Sequence, residues 1–106
     1  LAYDLAVTLN ACCFDESGHY QPGLGTALIR SYMRARADAG IPFSPAEAAA
    51  FPLLCEGAAL RFLLSRLYDA LYQSAGAQVA LKDPRDYLHR LHFHQTCKTM
   101  EDYLNA

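Results

Sequence analysis

Ala59-Leu60-Arg61-Phe62-Leu63-Leu64-Ser65-Arg66-Leu67-Tyr68-Asp69 is the stretch that decides the fold. It belongs to a longer run in which Leu53, Gly57, Leu60, Leu64, Leu67 and Leu71 recur every three or four residues, the period of an α-helix. Leu54, Ala58, Phe62 and Leu63 widen the apolar surface beyond one seam, which predicts a helix at the centre of the core. Ser44-Pro45-Ala46-Glu47 precedes it as a capping box, hydroxyl to backbone one way and carboxylate to backbone the other. Pro52 is expected to divide the segment into a short helix and a long one.

Outward from this segment the helical signals continue. Residues 2–14 place Leu5, Leu9 and Cys12 or Cys13 at helical spacing, with Asp4 near the positive end of the helix. Asp15-Glu16-Ser17-Gly18 reads as a turn, and Pro22 opens a helix reaching about Ala39, with Leu24, Ala27, Leu28 and Tyr32 on one face. Gly40 suits the left-handed position after it, and Pro42 prevents continuation. Downstream, Ser74-Ala75-Gly76-Ala77 should end the long helix. Asp83 and Pro84 start another, whose buried face is Tyr87, Leu88, Leu91 and Phe93. A last helical stretch is expected through Met100, Tyr103 and Leu104, open to fraying at the chain end. The expected architecture is all-α, about five helices, in a single helical domain or subdomain over residues 1–106.

Composition narrows the partners. Charged residues make up 19% and the hydrophobic set 53%, against about 25% charged in an average chain. A chain this short buries only about two-thirds of its unfolded surface, so apolar surface is left for another domain or subunit, and a homo-oligomer stays open. Net charge is −2, which gives no basic field for nucleic acid. Arg30, Arg34 and Arg36 read as a solvated helix face. No apolar run is expected to reach the roughly 20 residues of a membrane span. The start at Leu1 rather than Met suits a fragment. Cys12, Cys13, Cys55 and Cys97 lack both CxxC spacing and a disulfide rhythm, so free thiols in a reducing cytoplasm are expected.

Three constellations could carry chemistry. His89, His92 and His94 with Cys97 suggest zinc, but His94 falls on the far side of a continuous helix from His92, and packing or solvent-facing imidazoles are expected instead. Arg61, Ser65, Arg66 and Asp69 form either a charged stripe paired with a carboxylate or a guanidinium site for a substrate carboxylate. Asp4 and Asn10 have plain explanations as a helix-start carboxylate and a helix-face amide. Gly23 and Gly25 do not form a phosphate loop, and no nucleophile sits in a recognisable elbow.

Three segments in order carry a resemblance: Tyr3-Asp4-Leu5-Ala6 with Leu9-Asn10, then Ala59-Leu60-Arg61-Phe62 with Leu64-Ser65-Arg66-Leu67, then Lys82-Asp83-Pro84 with Tyr87-Leu88. Together they resemble the C-terminal end of bacterial homoserine kinase, in the aminoglycoside- and choline-kinase-like phosphotransferase superfamily. The resemblance implies the helical C-terminal part of a protein-kinase-like fold in a cytoplasmic enzyme of threonine biosynthesis. The implied reaction is ATP- and Mg2+-dependent phosphorylation of the side-chain hydroxyl of L-homoserine. It also implies that the catalytic loop, the metal-binding motif and the glycine-rich lobe lie upstream of Leu1, so this chain alone should lack ATP and metal sites and be inactive. Asp4 then resembles a brace of the catalytic loop, and Arg61 and Arg66 become candidates for the substrate carboxylate or for bracing the helices. Asn10-Ala11-Cys12-Cys13 departs from the family's Asn-Asp-Trp-Cys, and Leu63 stands where a Trp is frequent. Two rivals remain: a sister kinase holding a choline-like cation with Tyr3, Tyr68 and Tyr72, and a stand-alone helical interaction module.

Overall fold

The computed structural model describes residues 2–72 and 83–106, and within them the chain is helical. The helices are α1 (Ala2–Cys12), α2 (Pro22–Asp38), α3 (Pro45–Tyr72), α4 (Arg85–Thr96) and α5 (Met100–Leu104). The expected stop at residues 74–77 lies outside the described residues.

The boundaries follow local chemistry. In the turn after α1, the Asp15 carboxylate accepts the Ser17 and His19 N–H groups, each at 2.9 Å. Gly18 takes φ +85°, a left-handed conformation that glycine adopts without steric cost. Phe14 and Tyr20 then form an isolated antiparallel bridge. At the end of α2, Gly40 also has positive φ, and the N–H groups of Gly40 and Ile41 reach back to the Ala37 and Arg36 carbonyls in a Schellman stop. The capping box at Ser44 forms as read, with the Glu47 N–H donating to Ser44 Oγ at 3.1 Å and the Ser44 N–H to Glu47 Oε1 at 3.2 Å. At the start of α4 Pro84, not Asp83, takes the N-cap position and has no side-chain capping bond, while Asp83 Oδ1 one residue earlier accepts the Arg85 N–H at 2.9 Å. The last helix is anchored rather than frayed. Thr99 and Asp102 cap it reciprocally, and Met100 and Tyr103 are buried.

Pro52 does not divide α3. The missing N–H removes one backbone bond, a cost of about 3 kcal/mol or more in a helix interior. Phe51, Pro52 and Cys55 are all buried at that point, and their packing carries the helix across. Because the helix is continuous, it is long and apolar enough to cross a membrane by length and composition, with mean hydropathy 1.4 over an 18-residue window, contrary to expectation. In the fold, its inner side packs against α1, α4 and α5.

The orientation of α3 is the main correction. Its buried side is Phe51, Cys55, Ala58 and Ala59, whereas Leu53, Leu60, Leu64, Leu67 and Leu71 are exposed, Leu71 to 75%. The small residues let α1 and α4 approach closely, and the leucine seam faces outward. The core is built from Leu5, Leu9, Ile29, Phe51, Cys55 and Tyr103, with Phe14, Tyr20 and Phe93 packed ring against ring beside it. Arg36 is a second correction. Only 9% exposed, it donates two bonds to the Glu47 carboxylate, at 2.6 and 3.1 Å, and a third to the Ile41 carbonyl. The charged side chain thus ties α2 to α3 instead of lying on a solvated face.

Candidate functional site

A buried polar relay crosses the middle of the bundle. Asn10 uses both amide hydrogens on carbonyls, Ala6 at 3.0 Å and Cys55 at 3.2 Å. Its Oδ1 therefore accepts, and His94 Nε2–H donates to it at 2.8 Å. Nδ1 of His94 is then the acceptor, taking the Tyr103 hydroxyl proton at 2.7 Å. Every hydrogen-bonding atom in the relay is satisfied, which burial requires. Burial first, and the nearby Arg90 charge second, push the His94 pKa down to about 3, so the ring is neutral near pH 7. Burial likewise raises the Tyr103 hydroxyl far above its ordinary value. This is a structural lock rather than an acid–base pair. Asn10 is not a helix-face amide but its hub.

The histidines do not converge. His89 Nδ1–H donates to the Ser17 carbonyl at 2.8 Å, His92 is exposed, and His94 has both ring nitrogens engaged. Among the described residues, no group of three His, Cys, Asp or Glu side chains could hold a metal ion. All four cysteines are free thiols; burial raises Cys13 to about 11 and Cys55 to about 12, so both are protonated near pH 7.

Asp4 is exposed in the first turn of α1, where a carboxylate favours the helix dipole. Arg61 donates weakly to the Tyr3 hydroxyl at 3.4 Å and lies 5.4 Å from the Phe62 ring. Arg66 points elsewhere: its guanidinium lies 4.2 Å from the centre of the Tyr87 ring. Neither arginine forms an ion pair among the described residues, so the stripe paired with a carboxylate is not seen there.

Arg66 instead shares Tyr87 with Arg90 of α4, whose guanidinium is 4.4 Å from the same ring and 5.4 Å from Phe14. Arg90 is 8% exposed, and its Nε and Nη1 have no hydrogen-bond partner. Burial lowers its pKa. These two arginines line a hollow of about 330 Å³ together with Phe14, Asp15, Glu16 and Asp86. Arg90 was legible in principle. Tyr87, Arg90 and His94 recur at helical spacing along α4, and a charged residue within a buried stripe needs a reason to be there.

No protein-family model matches the chain. Among curated proteins, it is 50% identical over 103 residues to a homoserine kinase of Allorhizobium ampelinum and 50% identical over 103 residues to one of Gluconacetobacter diazotrophicus. A homoserine kinase of Agrobacterium fabrum is 48% identical over 103 residues. Each alignment takes in 97% of this chain and 30% of the relative. Over almost all of its length the chain is thus similar to homoserine kinases, and it spans about 30% of the length of those relatives.

Proposed function

We propose that this chain is the C-terminal helical part of an ATP-dependent homoserine kinase with a protein-kinase-like fold, acting in the cytoplasm on the route to threonine. The observation that carries the proposal is identity near 50% along 97% of the chain to proteins of that name. The three segments around Asp4, Arg61 and Asp83 point the same way. In such an enzyme, the γ-phosphoryl group of ATP passes to the side-chain hydroxyl of L-homoserine, and catalysis rests on positioning and charge stabilisation.

ATP and Mg2+ do not fit this chain by itself. It carries no glycine-rich phosphate loop, and the described residues offer no cluster of three metal-ligating side chains. Those groups belong to the rest of the parent polypeptide. Residues 1–106 act as one helical subdomain on the acceptor side. Asp4, exposed at the start of α1, braces the catalytic loop, and Arg66 serves the substrate carboxylate. Arg61, engaged with Tyr3 and Phe62, braces α3 against α1.

The test is phosphate transfer from ATP to L-homoserine by this chain and by a gene product with the full length of the relatives. Transfer by the longer protein alone is the expected result. Transfer by neither, with choline and sugar alcohols also tried, would leave the interaction-module reading in its place.

A further inference from the structure

The outer side of α3 is patterned for packing, yet it is open among the described residues. Leu53, Gly57, Leu60, Leu64, Leu67 and Leu71 alternate spacings of four and three, and each of these leucines is exposed. That alternation is the repeat by which one helix receives the side chains of another as knobs in holes. An extended strand, with its two-residue period, cannot follow it. A hole is already formed at Gly57. Lacking a side chain, it opens a recess of about 430 Å³ bounded by Leu53, Leu60 and, from α4, Leu91. Nothing stands within 4 Å of where its Cβ would be. Glu56 lines the same recess and forms no ion pair among the described residues.

A second copy of the chain meets this surface poorly in either direction. Laid parallel, it would bring Glu56 near Arg61 of the other copy, but two Gly57 recesses would then face each other empty. Laid antiparallel, Leu67 of the other copy would fill the recess, but Arg61 would face Arg61 and Glu56 would gain no cation. Neither register satisfies the recess and the charge together. The length of the relatives supplies another source. This chain covers 30% of each, so more than two-thirds of such a polypeptide lies elsewhere.

We infer that the leucine seam of α3 seats a helix from that remaining length. The helix places a bulky apolar side chain in the recess over Gly57 and a cationic side chain beside Glu56. The inference rests on the kinase reading for the existence of the longer polypeptide. It goes beyond that reading by naming the surface and the chemistry of what covers it.

The experiment compares this chain with the gene product of the relatives' full length. With Leu64→Cys in each, alkylation by iodoacetamide is followed by peptide mass. The thiol should react at least about tenfold more slowly in the longer protein, and equally slowly after roughly hundredfold dilution. Leu71→Cys repeats the measurement if Leu64→Cys unfolds the longer protein. Gly57→Leu gives the second readout. In this chain it should raise the thermal midpoint by about 4 °C, because the added side chain meets open space and glycine is the poorer helix former. In the longer protein it should lower the midpoint, because the recess is then occupied twice. Equal alkylation rates in the two proteins, or a midpoint raised in both, overturn the inference. Protection that is lost on dilution overturns it too, in favour of a second copy. The two proposals fail separately. Phosphate transfer by the longer protein with Leu64→Cys still fully reactive overturns the seam alone. A protected seam without transfer overturns the kinase reading alone.

Discussion

At His94, taking up a proton turns Nδ1 from acceptor to donor, so the Tyr103 hydroxyl that donates there must turn away. The unfolded imidazole titrates at about 6.5 and the native one at about 3, so between these values the unfolded chain binds more protons. The contribution is complete above pH 6.5 and is lost as pH falls, at about 1.4 kcal/mol per pH unit. Glu47, held down to about 2 chiefly by its hydrogen bond from Arg36, loses its contribution only below about 4.5. Urea midpoints between pH 6.5 and 5 therefore isolate His94, and His94→Gln should flatten the slope in that window. Tyr103→Phe leaves Nδ1 buried without a donor and should cost roughly 1–3 kcal/mol at pH 7 by urea titration. Gly18 is the other sensitive position. A Cβ there would stand 2.6 Å from the Asp86 carbonyl oxygen, at a φ that side chains rarely adopt. Gly18→Ala should lower stability by about 1–3 kcal/mol in the same assay.

Among the elements, local signals read truly and distant ones did not. Gly40 and Ser44 with Glu47 act on neighbours a few residues away, so their roles are written in adjacent sequence, whereas the start of α4 lies one residue later than Asp83 and Pro84 suggest. Asn10, Arg36 and Arg90 look like surface residues by type; Asn10 and Arg36 are buried through partners on other helices, and Arg90 through the Tyr87 and Phe14 rings. The α3 pattern fixed a helix but not its inner side. Both the leucine seam and the Phe51–Cys55–Ala58 side are apolar, and the choice was made by how closely α1 and α4 could approach small side chains. Arg66 was picked out from sequence, yet its companion Arg90 was not, because the hollow joins helices separated along the chain. Two substitutions check the orientation of α3. Phe51→Ala should cost about 3–5 kcal/mol, whereas Leu64→Lys should stay within about 0.5 kcal/mol of the native chain in thermal unfolding. Similar large losses at both positions would mean that the seam is core after all.

For the molecule as a whole, the polar relay has a temporal side. Asn10 and His94 stand 84 positions apart, and the phenol that completes their network lies nine positions further on. A ribosome adding about 5–20 residues per second makes Asn10 roughly 4–17 s before His94. Through that interval α2 and α3, the helices that pack against α1, can cover Leu5 and Leu9, but the Asn10 amide oxygen has no imidazole to meet. The network closes only once Tyr103 has emerged, and a premature stop codon before that residue would release a polypeptide whose His94 Nδ1 has no phenol proton to accept.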